Sequence, residues 1–157
     1  MQYVLHVDIS DSVISRNPFK LFEASAADYD LWVNLQRHTP WVRQNYAECY
    51  GGDADADGAA LPAPLASGEV YNAGVVGGKA GAFLDLADAL VLEFEGVYGR
   101  PARPAWNCDM AALQRALTAG GEAPLARRRV YDRSRPFCGM GRACAEQGEC
   151  DYYVYHK

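Results

Sequence analysis

The chain has 157 residues and five cysteines; half of its residues are apolar, 22% are charged and the formal net charge is −5. This size and composition suit a single globular domain, 1–157, with a core large enough to fold alone. The negative balance argues against a nucleic-acid binder, which needs clustered Lys and Arg. No apolar run approaches the ~20 residues that span a bilayer, and the first residues lack the basic and apolar regions of a signal peptide.

Residues 3–9 read as a buried strand that delivers Asp8-Ile9-Ser10-Asp11 at its C-terminal end. In open α/β sheets the carboxyl ends of strands are where ligands bind. Two carboxylates there repel each other until a hard divalent cation neutralises them. The plain alternative is turn chemistry, since aspartate bonds nearby backbone N–H groups. Residues 12–26 read as a turn region around a Pro18-Phe19 corner with one helical turn. Residues 29–35, from Tyr29 to Leu35, alternate and are aromatic-rich, which predicts a second strand.

Thr39-Pro40 is a helix start, because threonine caps orphan N–H groups and proline suits the first helical position. Val42, Tyr46 and Cys49 fall near one face of that helix together with Trp41, and Gly51-Gly52 ends it. Residues 51–66 read as a flexible acidic loop. Its Asp53, Asp55 and Asp57 lack the glutamate that a calcium loop needs. Val70 to Val76 predict a third strand ending at Gly77-Gly78, glycines that permit close backbone approach to a ligand or simply a tight turn. A long helix follows over 79–98, with Phe83, Leu84, Ala87, Leu90, Val91 and Phe94 expected inward and Asp85, Asp88 and Glu95 outward.

A further helix over 108–119 is opened by Asn107-Cys108-Asp109, where Asn107 or Asp109 either caps it or, for Asp109, presents a carboxylate to a cleft. The basic run Arg127-Arg128-Arg129 reads as a solvated face before a short strand at 129–131. Residues 134–150 form a cysteine-containing loop in which Cys138, Cys144 and Cys150 follow a C-x5-C-x5-C spacing. That is not a zinc-ribbon pattern. A disulfide within this loop, or from it to Cys49 or Cys108, is expected in an oxidising compartment, with free thiols the cytosolic alternative. A terminal strand, 151–155, ends in His156-Lys157, where an imidazole suits a metal and an ammonium suits phosphate. Strands and helices alternate, so the class is α/β, a mixed sheet flanked by helices.

Four segments, in this order, resemble the nucleotide-diphospho-sugar transferase superfamily, the GT-A type of glycosyltransferase. They are Val7-Asp-Ile-Ser-Asp-Ser-Val-Ile-Ser-Arg-Asn-Pro-Phe19, Val70-Tyr-Asn-Ala-Gly-Val-Val-Gly-Gly78, Asn107-Cys-Asp-Met-Ala-Ala-Leu113 and the closing His156-Lys157. The resemblance implies a GT-A-like fold, truncated because the N-terminal nucleotide-binding half of such domains is lacking here. It implies that Asp8, Asp11 and His156 hold a divalent metal, Mn2+ or Mg2+, with Lys157 near the diphosphate. It further implies that Asn72, Gly74, Gly77 and Gly78 line the donor-sugar and acceptor side, and that Asp109 is the catalytic base or acceptor-orienting carboxylate. Two residues separate Asp8 from Asp11 where the family often has one.

The implied partners are a nucleotide-sugar donor and a glycan, glycoside or protein acceptor, with no nucleic acid and no membrane span within this chain. The implied compartment is a secretory lumen, Golgi or ER, if a segment precedes Met1, and otherwise the cytoplasm. The alternative is a non-catalytic α/β binding or scaffold domain derived from such an enzyme.

Overall fold

The computed structural model describes residues 2–8, 12–14, 16–37, 40–50, 69–99, 108–118, 129–131, 137–139 and 154–156. The expected loop at 51–66 lies outside them. The class is mixed α/β. In chain order the described elements are β1 (Tyr3–Val7), β2 (Ser12–Ile14), α1 (Pro18–Ser25), β3 (Leu31–Arg37), α2 (Pro40–Tyr50), β4 (Glu69–Lys79), α3 (Ala80–Tyr98), α4 (Asp109–Thr118), β5 (Val130–Tyr131), β6 (Phe137–Gly139) and β7 (Val154–His156). The chain divides into two compact units. Unit 1 comprises Met1–Gln36, Asn72–Leu84 and Arg127–Lys157, and unit 2 comprises Arg37–Tyr71 and Asp85–Ala126.

Unit 1 carries two sheets, one in the order β1-β4-β3-β5 and one in the order β2-β7-β6. β1 pairs antiparallel with β4, from Tyr3 opposite Lys79 to Val7 opposite Val75. Its side chains alternate as a half-covered strand requires: Tyr3, Leu5 and Val7 lie inward, Val4 and His6 outward. β5 runs parallel to β3, with Leu31 opposite Val130. In the smaller sheet β7 pairs antiparallel with β2 and parallel with β6.

The region 12–26, expected to be mostly turn, contains β2 and the eight-residue α1. Asn17 is the N-cap of α1, its Oδ1 accepting from Phe19 N at 3.0 Å, and Pro18 follows at the first helical position. This is the same start logic as Thr39-Pro40. α1 buries Phe22 against Trp32 at 4.6 Å between ring centroids, with Tyr3 5.7 Å from Phe22. The buried Trp32 indole N–H donates to Ser25 Oγ at 3.0 Å, so the ring is sealed in without an orphan donor.

β4 does not end at Gly77-Gly78 but runs through them, pairing them with Leu5 and Val4. A Cβ at Gly77 would overlap the Phe22 ring, and one at Gly78 would lie 2.7 Å from Leu31 Cδ2. Both glycines therefore admit neighbouring side chains close to the strand.

In unit 2 the residues Val42, Tyr46 and Cys49 of α2 form a core with Val70, Val97, Cys108 and Ala111. Cys49 and Cys108 are disulfide-bonded across 59 residues. Neither pairs with the 134–150 stretch, which corrects the expected bond from that stretch to Cys49 or Cys108; the expected alternative, a bond within the stretch, falls on Cys144 and Cys150, outside the described residues. Within that stretch, Phe137–Gly139 is strand β6 rather than loop. The long helix starts and stops as expected, but its phase differs. Ala82, Leu86, Ala89 and Val97 are buried, while Leu84 and Val91 are 64% and 54% exposed. The inner face thus mixes two alanines with Leu86 and Val97, and the expected Leu84 and Val91 turn outward.

A buried glutamine completes this core. Gln114 Oε1 accepts from Tyr71 N and its Nε2 donates to Tyr71 O, both at 2.8 Å. The amide thus does for Tyr71 what a neighbouring strand would do.

Candidate functional site

The acidic strand end sits where the pairing of β1 with β4 runs out. One residue past Val7, Asp8 donates its N–H to Gly74 O at 2.9 Å. Gly74 N donates in turn to Asn72 Oδ1 at 2.6 Å. Three sequence-predicted residues, Asp8, Asn72 and Gly74, are therefore joined through a short chain of hydrogen bonds in unit 1. Asn72 is buried, and its carboxamide shapes the local backbone. The Asp8 carboxylate is about half exposed, with His6 Nε2 3.9 Å away.

The other predicted metal ligand enters through the smaller sheet. β2 and β7 pair so that Ser12 stands opposite His156 and Ile14 opposite Val154. Asp11 precedes Ser12 in the chain and Lys157 follows His156; both lie outside the described residues. The backbone thus brings the chain's last histidine position beside the strand that leaves the acidic stretch. Among the described residues no group of three or more His, Cys, Asp or Glu is placed to hold a metal.

Gly77 and Gly78 belong to a different part of the strand, against Phe22 and Leu31. The packing of those side chains accounts for both glycines.

Asp109 is the first residue of α4, in unit 2, and its Oδ1 accepts from Met110 N at 2.6 Å. A carboxylate suits that end because the helix dipole is positive there.

Sequence reasoning missed the main charge cluster of unit 1. Asp30 is buried just before β3, and its Oδ1 accepts from Lys79 Nζ at 2.7 Å. Its Oδ2 accepts from Arg129 N at 3.1 Å, with Arg129 Nε at 3.5 Å. Burial pushes the carboxyl up, but the Lys79 and Arg129 hydrogen bonds and both positive charges outweigh it, so Asp30 titrates below its ordinary value. Arg129 also donates from Nη1 to Ala27 O at 2.6 Å. It is therefore an anchor even though its side chain stays about half exposed, as its basic run suggested. The one available signal was an aspartate placed at the head of an otherwise apolar strand.

In unit 2, Arg115 Nε lies 3.2 Å from Glu93 Oε2, and its guanidinium stacks over Tyr50, 4.6 Å from the ring centroid. Burial first, and Glu93 second, push the Tyr50 hydroxyl well above its ordinary value.

Comparison of the chain with protein-family models, with curated protein sequences and with solved structures finds no match.

Proposed function

We propose that this chain is the metal- and acceptor-binding part of a GT-A-like glycosyltransferase that uses a nucleotide-activated sugar. The observation that carries the reading is the antiparallel pairing of β2 with β7, with Ser12 opposite His156. The acidic stretch 8–11 thereby runs into the same small sheet as the chain's final histidine. The tie from Asp8 N–H to Gly74 O adds the Asn72–Gly74 segment to the same strand end.

Asp8, Asp11 and His156 are the residues that would hold the metal. Carboxylate oxygens with an imidazole nitrogen form a donor set suited to manganese or, with more oxygen, magnesium. The bound cation would neutralise a departing nucleoside diphosphate. The chain's own part is positional. The Asp8 backbone is fixed by Gly74, so its carboxylate leaves the sheet from a rigid strand end rather than a loop. The Asn72 carboxamide accepts from Gly74 N in turn, which holds the backbone that ties down Asp8. Lys157 would contribute a point charge to phosphate oxygens. Asp109 is not carried into this reading, because its carboxylate is engaged at the start of α4.

The test is calorimetric titration of the full chain with manganese(II) chloride, alone and with UDP or GDP, beside Asp11→Ala. The expected result is nucleotide binding that requires the metal. Asp11→Ala should weaken manganese binding by more than the roughly 10–100-fold that loss of an outer-shell partner costs. Binding of neither metal nor nucleotide by the parent chain would leave the non-catalytic α/β scaffold instead.

A further inference from the structure

Resting on that reading for Asp8, we infer that His6 is a further ligand of the cation held there, which makes the site one for a first-row transition ion in preference to magnesium. His6 Nε2 lies 3.9 Å from Asp8 Oδ1, and the two side chains are 54% and 51% exposed. That separation is too long for a hydrogen bond. As an ion pair between half-exposed groups it contributes little to the stability of the fold.

The same distance suits two ligands of a single ion. Donors each about 2.1 Å from a cation stand about 3.0 Å apart at a right angle and about 4.2 Å apart when opposite. The 3.9 Å between His6 and Asp8 falls inside that range, so an ion bridges them with little movement of either side chain.

The backbone holds the two residues in place. β1 alternates, so Tyr3, Leu5 and Val7 pack against Phe22, Trp32 and Val75, while Val4, His6 and Asp8 stand exposed on the other face. Pairing with β4 sets His6 opposite Val76, and the bond from Asp8 N–H to Gly74 O carries the pairing on to Asp8. The sheet, and not the ion, therefore brings imidazole and carboxylate side by side. Gly74, across from Asp8, has no side chain to cover that carboxylate. β1 is the outermost strand of its sheet among the described residues, which leaves the pair open to solvent.

Ligand chemistry then sets the choice of ion. Magnesium is held through carboxylate and phosphate oxygens and keeps several waters. Imidazole nitrogen suits transition ions, with affinity rising from manganese towards copper. His6 adds a second imidazole to the one that the transferase reading takes from His156, and so moves the donor set away from magnesium.

The experiment titrates the full chain with manganese(II) and with magnesium chloride by calorimetry, beside His6→Gln and Asp11→Ala. Manganese is used because the softer ions also seek cysteine thiolates. Pulsed EPR of the bound manganese reads directly coordinated imidazole nitrogen. His6→Gln changes an exposed position and should melt as the parent does without metal. It should bind manganese roughly tenfold or more weakly, at least the loss that an outer-shell partner causes, with a reduced nitrogen signal and unchanged magnesium affinity.

Unchanged manganese affinity or an unchanged nitrogen signal in His6→Gln overturns the inference. So does an equal loss for magnesium, the result expected from a general change of charge or fold, and so does a parent chain that binds no manganese. Asp11→Ala judges the transferase ligand set separately. Manganese binding weakened in His6→Gln but kept in Asp11→Ala leaves His6 and Asp8 as a metal site without that reading. The reverse pattern keeps the reading and removes His6.

Discussion

Unit 1 and unit 2 secure their buried polar groups by different means. Unit 2 saturates the Gln114 amide, stacks Arg115 on Tyr50 and links α2 to α4 through Cys49 and Cys108. Unit 1 gathers charge at one end of its larger sheet, around Asp30. Unit 2 is tied by a disulfide and a saturated amide, and unit 1 is held at one end of its larger sheet by charge.

The largest expected effect breaks the tie of unit 2. The disulfide closes a loop of 59 residues, for which chain entropy gives roughly 4 kcal/mol of stabilisation. Cys49→Ser with Cys108→Ser should lower the urea-unfolding free energy by about that amount, read from the helical circular-dichroism signal. A loss below about 1 kcal/mol would mean that the helices of unit 2 hold without their covalent tie.

A smaller effect sharpens the comparison, because it applies one chemical change to both units. Gln114→Leu leaves the backbone N–H and C=O of Tyr71 without their present partner, and should cost about 2–4 kcal/mol in the same unfolding assay. Asn34→Leu removes an amide that no described residue accepts from, so its expected sign is zero or stabilising. If the two substitutions cost the same, the saturated amide is not what ties unit 2.

Much of the fold was legible because helix starts and stops are local. Thr39-Pro40, the glycine after the long helix and the periodicity of 80–98 located their elements to within a residue or two. Asn17-Pro18 carried the same start signal, and reading it as a turn corner cost α1. What was not legible is non-local. Gly77 and Gly78 look like a strand end until Phe22 and Leu31 are seen to fill the space above them. The Cys49–Cys108 pairing depends on two helices meeting. The phase of α3 depends on what packs against it, which the periodicity of the helix alone does not contain.

Of the candidate site, the sequence pointed to Asp8, Asn72 and Gly74, and the structure brings these three together through backbone and side-chain hydrogen bonds. His6 carried its signal in strand alternation alone, which puts it on the face of Asp8 two residues on.

The smallest expected effect concerns pH and the charge cluster of unit 1. Asp30 titrates below its ordinary value in the folded chain because Lys79 and Arg129 stabilise the carboxylate more than burial penalises it. The unfolded chain then binds the proton first as the solution is acidified. The stabilisation from Asp30 is fully present above the ordinary carboxylate pKa of about 4, and is lost as the pH falls from there through the lower, folded value. Asp30→Asn should cost about 2 kcal/mol at neutral pH, less than a fully buried pair, since Lys79 and Arg129 both reach solvent. It should also flatten the acid limb of stability against pH below about 4, measured by urea unfolding across the range. Asp30 also has backbone ties, its N–H donating to Arg129 O and its C=O accepting from Lys79 N. An acid limb that stays as steep in Asp30→Asn would assign the junction of β3, β4 and β5 to those backbone bonds, with the side-chain charges adding little.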